Sequence, residues 1–169
     1  MIHRITTLLL ALAAFGLLST LALHVFTFLR LELEPLRPLY ALAFIGVFVV
    51  VVPMIFFGSR AERKNADAWS KTMRYAPRGW NAFVVVLLLY VAFNFFTMLN
   101  ANSSASPTIK DGKYVLTSHG AVVKQLTASE YTQAVAYDLR LWSGHPLVFY
   151  AGAFGFLYAM KRELDSLHV

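Results

Sequence analysis

The stretch GSRAERKNADAWSKTMRYAPRG, residues 58–79, decides the fold predicted for this chain. Long apolar runs flank it on both sides. Lys and Arg close to membrane spans are retained in the cytoplasm. We therefore expect a cytoplasmic loop here, and the orientation of the other segments follows from it. Its basic residues are Arg60, Arg63, Lys64, Lys71, Arg74 and Arg78.

The composition of the chain supports a membrane protein with little soluble mass. Of its 169 residues, 58% are hydrophobic and 14% are charged, whereas soluble domains have about 25% charged residues. The net charge of +6 is concentrated near the predicted loop, so it indicates topology and lipid contact, and no nucleic-acid partner is expected. The absence of cysteine excludes disulfides, thiolate metal sites and a Cys nucleophile.

Three apolar segments before and after the loop have the length of transmembrane helices, which need about 20 residues. They cover residues 5–29, 40–57 and 80–99. A fourth span is expected within residues 144–169, where Pro146 begins a shorter apolar run that ends at Lys161 and Arg162. That run would borrow residues at both ends to cross the bilayer.

Residues 101–143 are predicted to form the one soluble module. Residues 113–117 and 121–126 have strand patterns separated by turn residues. Thr127 and Glu130 have the spacing of a capping box, which starts a helix that ends near Trp142. The sequence Ser143-Gly144-His145-Pro146 is expected to break the chain before the last span.

The predicted fold is an all-α membrane protein with four transmembrane helices and a small extracytoplasmic β-hairpin plus helix between spans three and four. Residues 1–100 hold three spans and the cytoplasmic loop, 101–143 the module, and 144–169 the last span and a cytoplasmic tail. With the basic loop inside, both termini are cytoplasmic. A multi-pass protein of a bacterial inner membrane fits this plan best.

The spans offer little for chemistry. No Asp, Glu, Lys or Arg lies within the core of a span, and transporters and proton relays use such groups. His24, His119 and His145 fall on the same predicted side and are weak candidates for a metal. His24 and His145 are also weak candidates to hold a haem between helices. Because a lone His more often serves packing, we expect neither a metal nor a cofactor, and a haem- or metal-binding redox subunit is the alternative.

Two sets of residues are predicted to make contacts. Small residues recurring every four positions let another helix approach closely, and an amide within a span hydrogen-bonds a neighbouring helix. This pattern favours packing within the chain over dimerisation, although oligomerisation stays possible. The helix-packing candidates are Asn94, Ala151, Gly155 and Ala159.

The second set lies in the soluble module, where polar and aromatic groups gather. Arg and Trp often dominate binding energy at interfaces. The partner-binding candidates are Tyr131, Asp138, Arg140, Trp142 and His145. No catalytic residue is predicted, because no stretch carries a catalytic signature, and a membrane enzyme has no positive support.

In size and arrangement of spans the chain resembles small four-span immunity proteins that protect bacteria from pore-forming toxins. The resemblance implies a membrane-active toxin as the partner. We therefore expect a non-enzymatic polytopic inner-membrane protein that acts by partner binding, either as an accessory subunit of a membrane complex or as an immunity protein.

Overall fold

The structure is a computed structural model that describes residues 2–29, 32–64, 68–101 and 105–166. Its described part is mostly helical, as predicted, with a short 3₁₀ turn over Glu34–Leu36. The helices are α1 (Ile2–Phe26), α2 (Arg37–Lys64), α3 (Ala68–Met73), α4 (Trp80–Ala101) and α5 (Ala128–Ser166). The strands are β1 (Ser106–Lys110), β2 (Lys113–Ser118) and β3 (Ala121–Gln125).

Three helical segments of the described chain are long and apolar enough to cross a membrane: Ile2–Phe26, Glu34–Phe56 and Trp80–Ala101. They correspond to the first three predicted spans. Large apolar side chains on all three are exposed, including Phe15 at 70%, Phe48 at 57% and Leu89 at 65%. A protein surface of this kind suits hydrocarbon, because a helix already satisfies its own backbone groups.

Helix α5 is the centre of the bundle, and α1, α2 and α4 all pack against it. Ala151 and Ala159 are completely buried, and Leu157 is 1% exposed. A helix that is apolar on every face belongs in an interior. The three outer helices therefore present their apolar surfaces outward, while most of the second half of α5 is enclosed.

The chain break expected at Ser143-Gly144-His145-Pro146 is wrong, because α5 continues through it without interruption. Pro146 removes one helical hydrogen bond, but this segment is held by its neighbours. Gly144 packs against Val91 of α4. Ser143 donates from Oγ to the Leu139 carbonyl, one turn earlier in the same helix, at 2.8 Å. Turn-forming residues therefore do not end a helix that is packed on both sides.

The module contains a three-stranded antiparallel sheet in the order β1-β2-β3, where the sequence predicts a hairpin. The predicted hairpin is β2 and β3, and the additional strand is β1. Both connections are two-residue turns, Asp111-Gly112 and His119-Gly120, and all four residues have positive φ. Positive φ at both central positions is typical of type I′ hairpin turns.

The turn-forming residues 100–107 predict a polar linker, but its last two residues, Ser106 and Pro107, begin β1. Pro is tolerated in a strand at the edge of a sheet, and β1 pairs only with β2. The free side of β1 faces the helices, where Arg37 donates from Nη2 to the Pro107 carbonyl at 3.2 Å. Part of the predicted linker, residues 102–104, lies outside the described residues.

Two buried clusters hold the fold together. One packs the sheet onto the first half of α5 and the adjacent ends of α1 and α2, and it includes Leu23, Tyr40, Leu116, Tyr131 and Leu139. The other lies between α1, α2 and the second half of α5, and it includes Leu9, Val47, Val50, Tyr150 and Phe156. The capping box that starts α5 is confirmed, since Thr127 and Glu130 exchange hydrogen bonds in both directions.

The two ends of the bundle are built from different segments. At one end the His3 ring contacts the Asp165 carboxylate at 2.8 Å, and Thr72 of α3 donates to Glu163 at 2.6 Å. At the other end Tyr131 donates to Glu34 at 3.0 Å. The beginning of α1, helix α3 and the end of α5 therefore lie together, opposite the sheet.

Candidate functional site

All five predicted partner-binding residues lie on α5, four of them between Tyr131 and Trp142 and the fifth, His145, just after Trp142. Arg140 and Trp142 are two positions apart on this helix, so their side chains diverge by roughly 200° around its axis. The structure accordingly assigns them to two separate grooves, one on each side of α5.

The Arg140 groove has a volume of about 520 Å³ and lies between α5 and the chain that follows α1. Arg140 donates from Nε to the Thr27 hydroxyl at 3.1 Å and from Nη2 to the Thr27 carbonyl at 2.9 Å. Its guanidinium also lies 3.8 Å from the centre of the Phe28 ring. The groove is lined by Thr27, Phe28, Leu33, Ser129, Thr132, Gln133, Ala136, Tyr137 and Arg140.

The Trp142 groove has a volume of about 330 Å³ and lies between α5 and the start of α2. Trp142 is 51% exposed, and its ring meets the edge of Phe44 with 6.1 Å between centres. Arg37 and Asp138 form the polar end of this groove, with 3.8 Å between Nη1 and the carboxylate. An exposed indole beside an Arg is a combination that often contributes strongly to binding.

Asp138 is buried, with only 4% of its surface exposed. Desolvation raises the pKa of its carboxyl above the ordinary value, although the Arg37 charge and a hydrogen bond from the Trp142 indole oppose that change. A carboxylate in this position supports the groove from below. Its role is to orient Arg37 and Trp142, because a carboxylate this deeply buried is not accessible to a partner.

Tyr131 and His145 are less available than the sequence suggests. Tyr131 is 6% exposed and stacks on Tyr114 with 4.6 Å between ring centres. Burial, together with the bond to Glu34, raises the pKa of Tyr131 to about 12. His145 bonds the Leu141 carbonyl through Nδ1 at 2.9 Å. Both residues therefore serve the module and helix α5 itself.

His24 is the centre of a polar network that ties three helices together. Its Nδ1 contacts the Ser143 hydroxyl at 2.8 Å and its Nε2 contacts the Tyr90 hydroxyl at 2.7 Å. Because Ser143 donates onward to the Leu139 carbonyl, Nδ1 is the donor to Ser143 and Nε2 accepts from Tyr90. A neutral ring with both nitrogens bonded is satisfied inside an apolar bundle.

The histidines named as weak metal candidates do not form a ligand set. Both ring nitrogens of His24 are bonded, and an axial haem ligand needs one of them free. His119 lies in the β2–β3 turn with a φ of 49°. Within the described residues, no group of three or more His, Asp or Glu side chains is arranged to hold a metal ion.

The helix-packing candidates are all buried or face another helix. Asn94 is 7% exposed and donates to the Tyr90 carbonyl of its own helix at 3.2 Å. Gly155 lies against the ring of Trp80, whose Nε1 donates to the Ala151 carbonyl at 2.9 Å. Ala151 and Gly155 of the stripe thus meet α4 of the same chain, and Trp80 lies between the two helices.

Four contributors to these sites have no distinctive sequence signal: Thr27, Phe28, Ser143 and Tyr90. Thr27 and Phe28 look like the end of an apolar run, and Tyr90 lies within another. Arg37 could have been found, because a basic residue that starts a helix next to a loop is available for pairing. Its partner Asp138 is 101 positions away in the printed sequence, which is beyond the reach of local patterns.

No protein-family model, curated protein or solved structure matches this chain. The class that the fold defines is a mostly helical membrane-associated protein, whose described residues include three helices able to cross a bilayer and a small three-stranded sheet.

Proposed function

We propose that this is a non-enzymatic protein of a bacterial inner membrane that acts by binding another protein at its extracytoplasmic end. It serves there as an accessory subunit of a membrane complex or as an immunity protein against a membrane-active toxin. The observation that carries this proposal is the Trp142 groove, where an exposed indole and Arg37 are held by the buried Asp138.

The second half of α5 is proposed as the fourth membrane crossing, which begins after Trp142. Helix α5 as a whole has 39 residues and extends about 58 Å at 1.5 Å per residue, so it is long enough to hold both the helix of the module and a crossing of the roughly 30 Å of bilayer hydrocarbon. No Asp, Glu, Lys or Arg occurs between Ser143 and Met160. Small and aromatic residues lower the hydropathy of this segment, and they suit it because protein encloses most of it.

The contacts at the ends of the bundle support the orientation. Helix α3 belongs to the basic loop, and its Thr72 bonds Glu163 near the end of α5. His3 of α1 contacts Asp165 in the same region. Basic loops stay in the cytoplasm, so this end is assigned to the cytoplasm, with both termini, and the sheet to the opposite side.

Partner binding is favoured over chemistry because the reactive side chains are already engaged. His24 bonds Ser143 and Tyr90, and Tyr131 bonds Glu34. The exposed side chains in this part of the molecule are apolar or aromatic, which suits contact with another protein. They are Trp142 on α5, and Val122 and Val123 on β3, at 48% and 57% exposure. The haem-binding alternative has no support from His24, because neither ring nitrogen is free.

The test is crosslinking of the tagged protein in its native membrane, followed by quantification of the captured partner. Replacing a central hot-spot residue costs at least about 2 kcal/mol of binding energy, so Trp142→Ala should reduce recovery of the partner by roughly tenfold or more. Phe149→Ala is the matched control, because Phe149 is a similarly exposed aromatic of α5, at 48%, in the segment assigned to lipid.

Two results would contradict the proposal. Equal recovery with Trp142→Ala and Phe149→Ala would remove the groove from recognition. A haem absorption band in the purified protein would favour the redox alternative. Sensitivity of cells lacking the protein to a membrane-active toxin would separate the immunity role from the accessory role.

A further inference from the structure

The Arg140 groove is a second site, on the opposite side of α5 from the Trp142 groove. One wall is a continuous face of α5, and the other is formed by Thr27, Phe28 and Leu33. It has polar and apolar parts, because hydroxyl and amide groups of α5 face the aromatic and aliphatic side chains across it. A ligand that fits here must carry both characters.

Arg140 is a partly buried cation whose partners are neutral. It bonds the hydroxyl and carbonyl of Thr27 and lies over Phe28. Among the described residues, no carboxylate lies within ion-pair distance of Arg140. The Nη1 group of Arg140 donates no hydrogen bond to any described residue. Burial lowers the pKa of this guanidinium below its ordinary value. A cation taken from water without a counter-charge is stabilised by a bound anion.

The depth of the groove identifies where that anion comes from. Thr27 immediately follows Phe26, the last residue of the first candidate span. Trp142, two positions beyond Arg140, is of the residue type that collects at the membrane–water interface. Arg140 therefore lies at the level of the lipid headgroups.

A phospholipid matches the two characters of the groove. Its phosphate suits a guanidinium, which presents planar N–H donors to phosphate oxygens. Next to the groove, Val25, Phe26 and Leu29 expose apolar side chains at 48%, 38% and 50%, and an acyl chain covers such a surface. Among the described residues, no acidic side chain lines the groove, so the groove offers no carboxylate to a headgroup that bears an ammonium, and a headgroup without an ammonium is favoured.

We propose that the groove between α5 and the end of α1 binds the headgroup of an anionic phospholipid, with the phosphate on Arg140. Bound lipid then fixes the junction of α1 with α5 and sets the depth of the sheet above the membrane. This site is independent of the protein partner proposed above, which contacts the other side of α5.

The experiment is native mass spectrometry of the delipidated full-length protein, titrated with equal amounts of phosphatidylglycerol and phosphatidylcholine. The wild type should retain phosphatidylglycerol preferentially. Arg140→Gln keeps a donor for Thr27 but removes the charge, and it should weaken phosphatidylglycerol binding by roughly tenfold, the scale of a charge-assisted bond. Excess inorganic phosphate should not displace the lipid, because phosphate lacks the acyl chains.

A second variant keeps the proposal testable if Arg140→Gln does not fold. Gln133 is exposed in the groove, so Gln133→Glu adds a carboxylate there without disturbing the core and should repel the phosphate. Gln125→Glu makes the same change on exposed β3, outside the groove, and should leave binding unchanged. Equal retention of the two lipids by the wild type would overturn the proposal, as would equal lipid binding by the two Gln→Glu variants.

Discussion

The ring of Trp80 on α4 fills the space that a side chain at Gly155 on α5 would need. The indole is also fixed by its hydrogen bond to the Ala151 carbonyl and packs against Phe154 with 5.0 Å between ring centres. A glycine at position 155 thus allows the largest side chain of α4 to lie between the two helices. This contact joins the enclosed helix to one of the three outer ones.

Gly155→Ala should therefore destabilise the protein. The added methyl group would overlap the Trp80 ring, and overpacking of a filled interior costs about 1–3 kcal/mol. Unfolding in mixed detergent micelles, followed by tryptophan fluorescence, measures this loss. Gly152→Ala is the matched control, because a methyl group at position 152 meets no other atom within 4 Å. Ala has the higher helix propensity, so Gly152→Ala should be neutral or stabilising, and equal destabilisation by both variants would rule out the Trp80 contact as the cause.

The same contact illustrates what the sequence could predict. The spacing of Ala151, Gly155 and Ala159 indicates close approach of a helix, and the apolar runs indicate which segments are helical. The identity of the neighbour depends on how four helices are arranged, and Trp80 is 75 positions before Gly155 in the printed sequence. Local patterns therefore predict that a surface packs but not what packs on it.

Two local predictions were wrong for a related reason. In the sequence, Pro146 predicts a break and Pro107 predicts a linker, yet Pro146 lies inside α5 and Pro107 inside β1. Proline is disfavoured inside a helix or a strand, because it loses one backbone hydrogen bond and restricts the backbone sterically. Packing of α5 by three helices, and the edge position of β1, make that cost acceptable. Tertiary contacts of this kind are absent from a local sequence window.

The start of α5 should show a distinctive titration. Glu130 accepts hydrogen bonds from Lys124, at 2.8 Å, and from Thr127, and these bonds lower its pKa from 4.5 to about 2. A lowered pKa in the folded state means that the stabilisation is present above the ordinary value of 4.5 and is lost as the pH falls toward 2. The ¹³C chemical shift of the Glu130 carboxyl should therefore titrate with a midpoint near 2.

Removing one partner of the capping box checks the cause of that shift. Thr127→Ala should raise the titration midpoint of Glu130 toward its ordinary value and cost about 1 kcal/mol of helix stability. Thr132→Ala is the control, because Thr132 bonds the Ala128 carbonyl within α5 and does not contact Glu130. A midpoint that stays near 2 in Thr127→Ala would assign the lowered pKa to Lys124 and to the backbone N–H of residue 127, which the variant keeps.

The pKa of Asp138 changes in the opposite direction from that of Glu130. Burial raises the pKa of its carboxyl above 3.8, so the folded state favours the protonated form, and the associated stability is lost as the pH rises through the raised value. Asp138→Asn keeps an acceptor for the Trp142 indole and removes the buried charge. The variant should be at least as stable as the wild type at neutral pH, and its advantage should shrink in acid, as measured by urea unfolding at both pH values. A large loss of stability at neutral pH would mean that attraction to Arg37 outweighs desolvation.

The orientation of α5 determines whether the chain crosses the membrane three or four times. The chain contains no cysteine, so single cysteines can be introduced without removing any. Three exposed residues provide the positions: Lys113 on the sheet, Arg74 just after α3, and Ser166 at the end of α5.

If α5 crosses, a membrane-impermeant maleimide should label Lys113→Cys from the extracytoplasmic side. Arg74→Cys and Ser166→Cys should be labelled only after the inner membrane is disrupted, because the contacts of Thr72 with Glu163 and of His3 with Asp165 hold α3 and the end of α5 together. Labelling of Lys113→Cys and Ser166→Cys from the same side of an intact membrane would show that α5 does not cross, and the four-span arrangement would then be wrong.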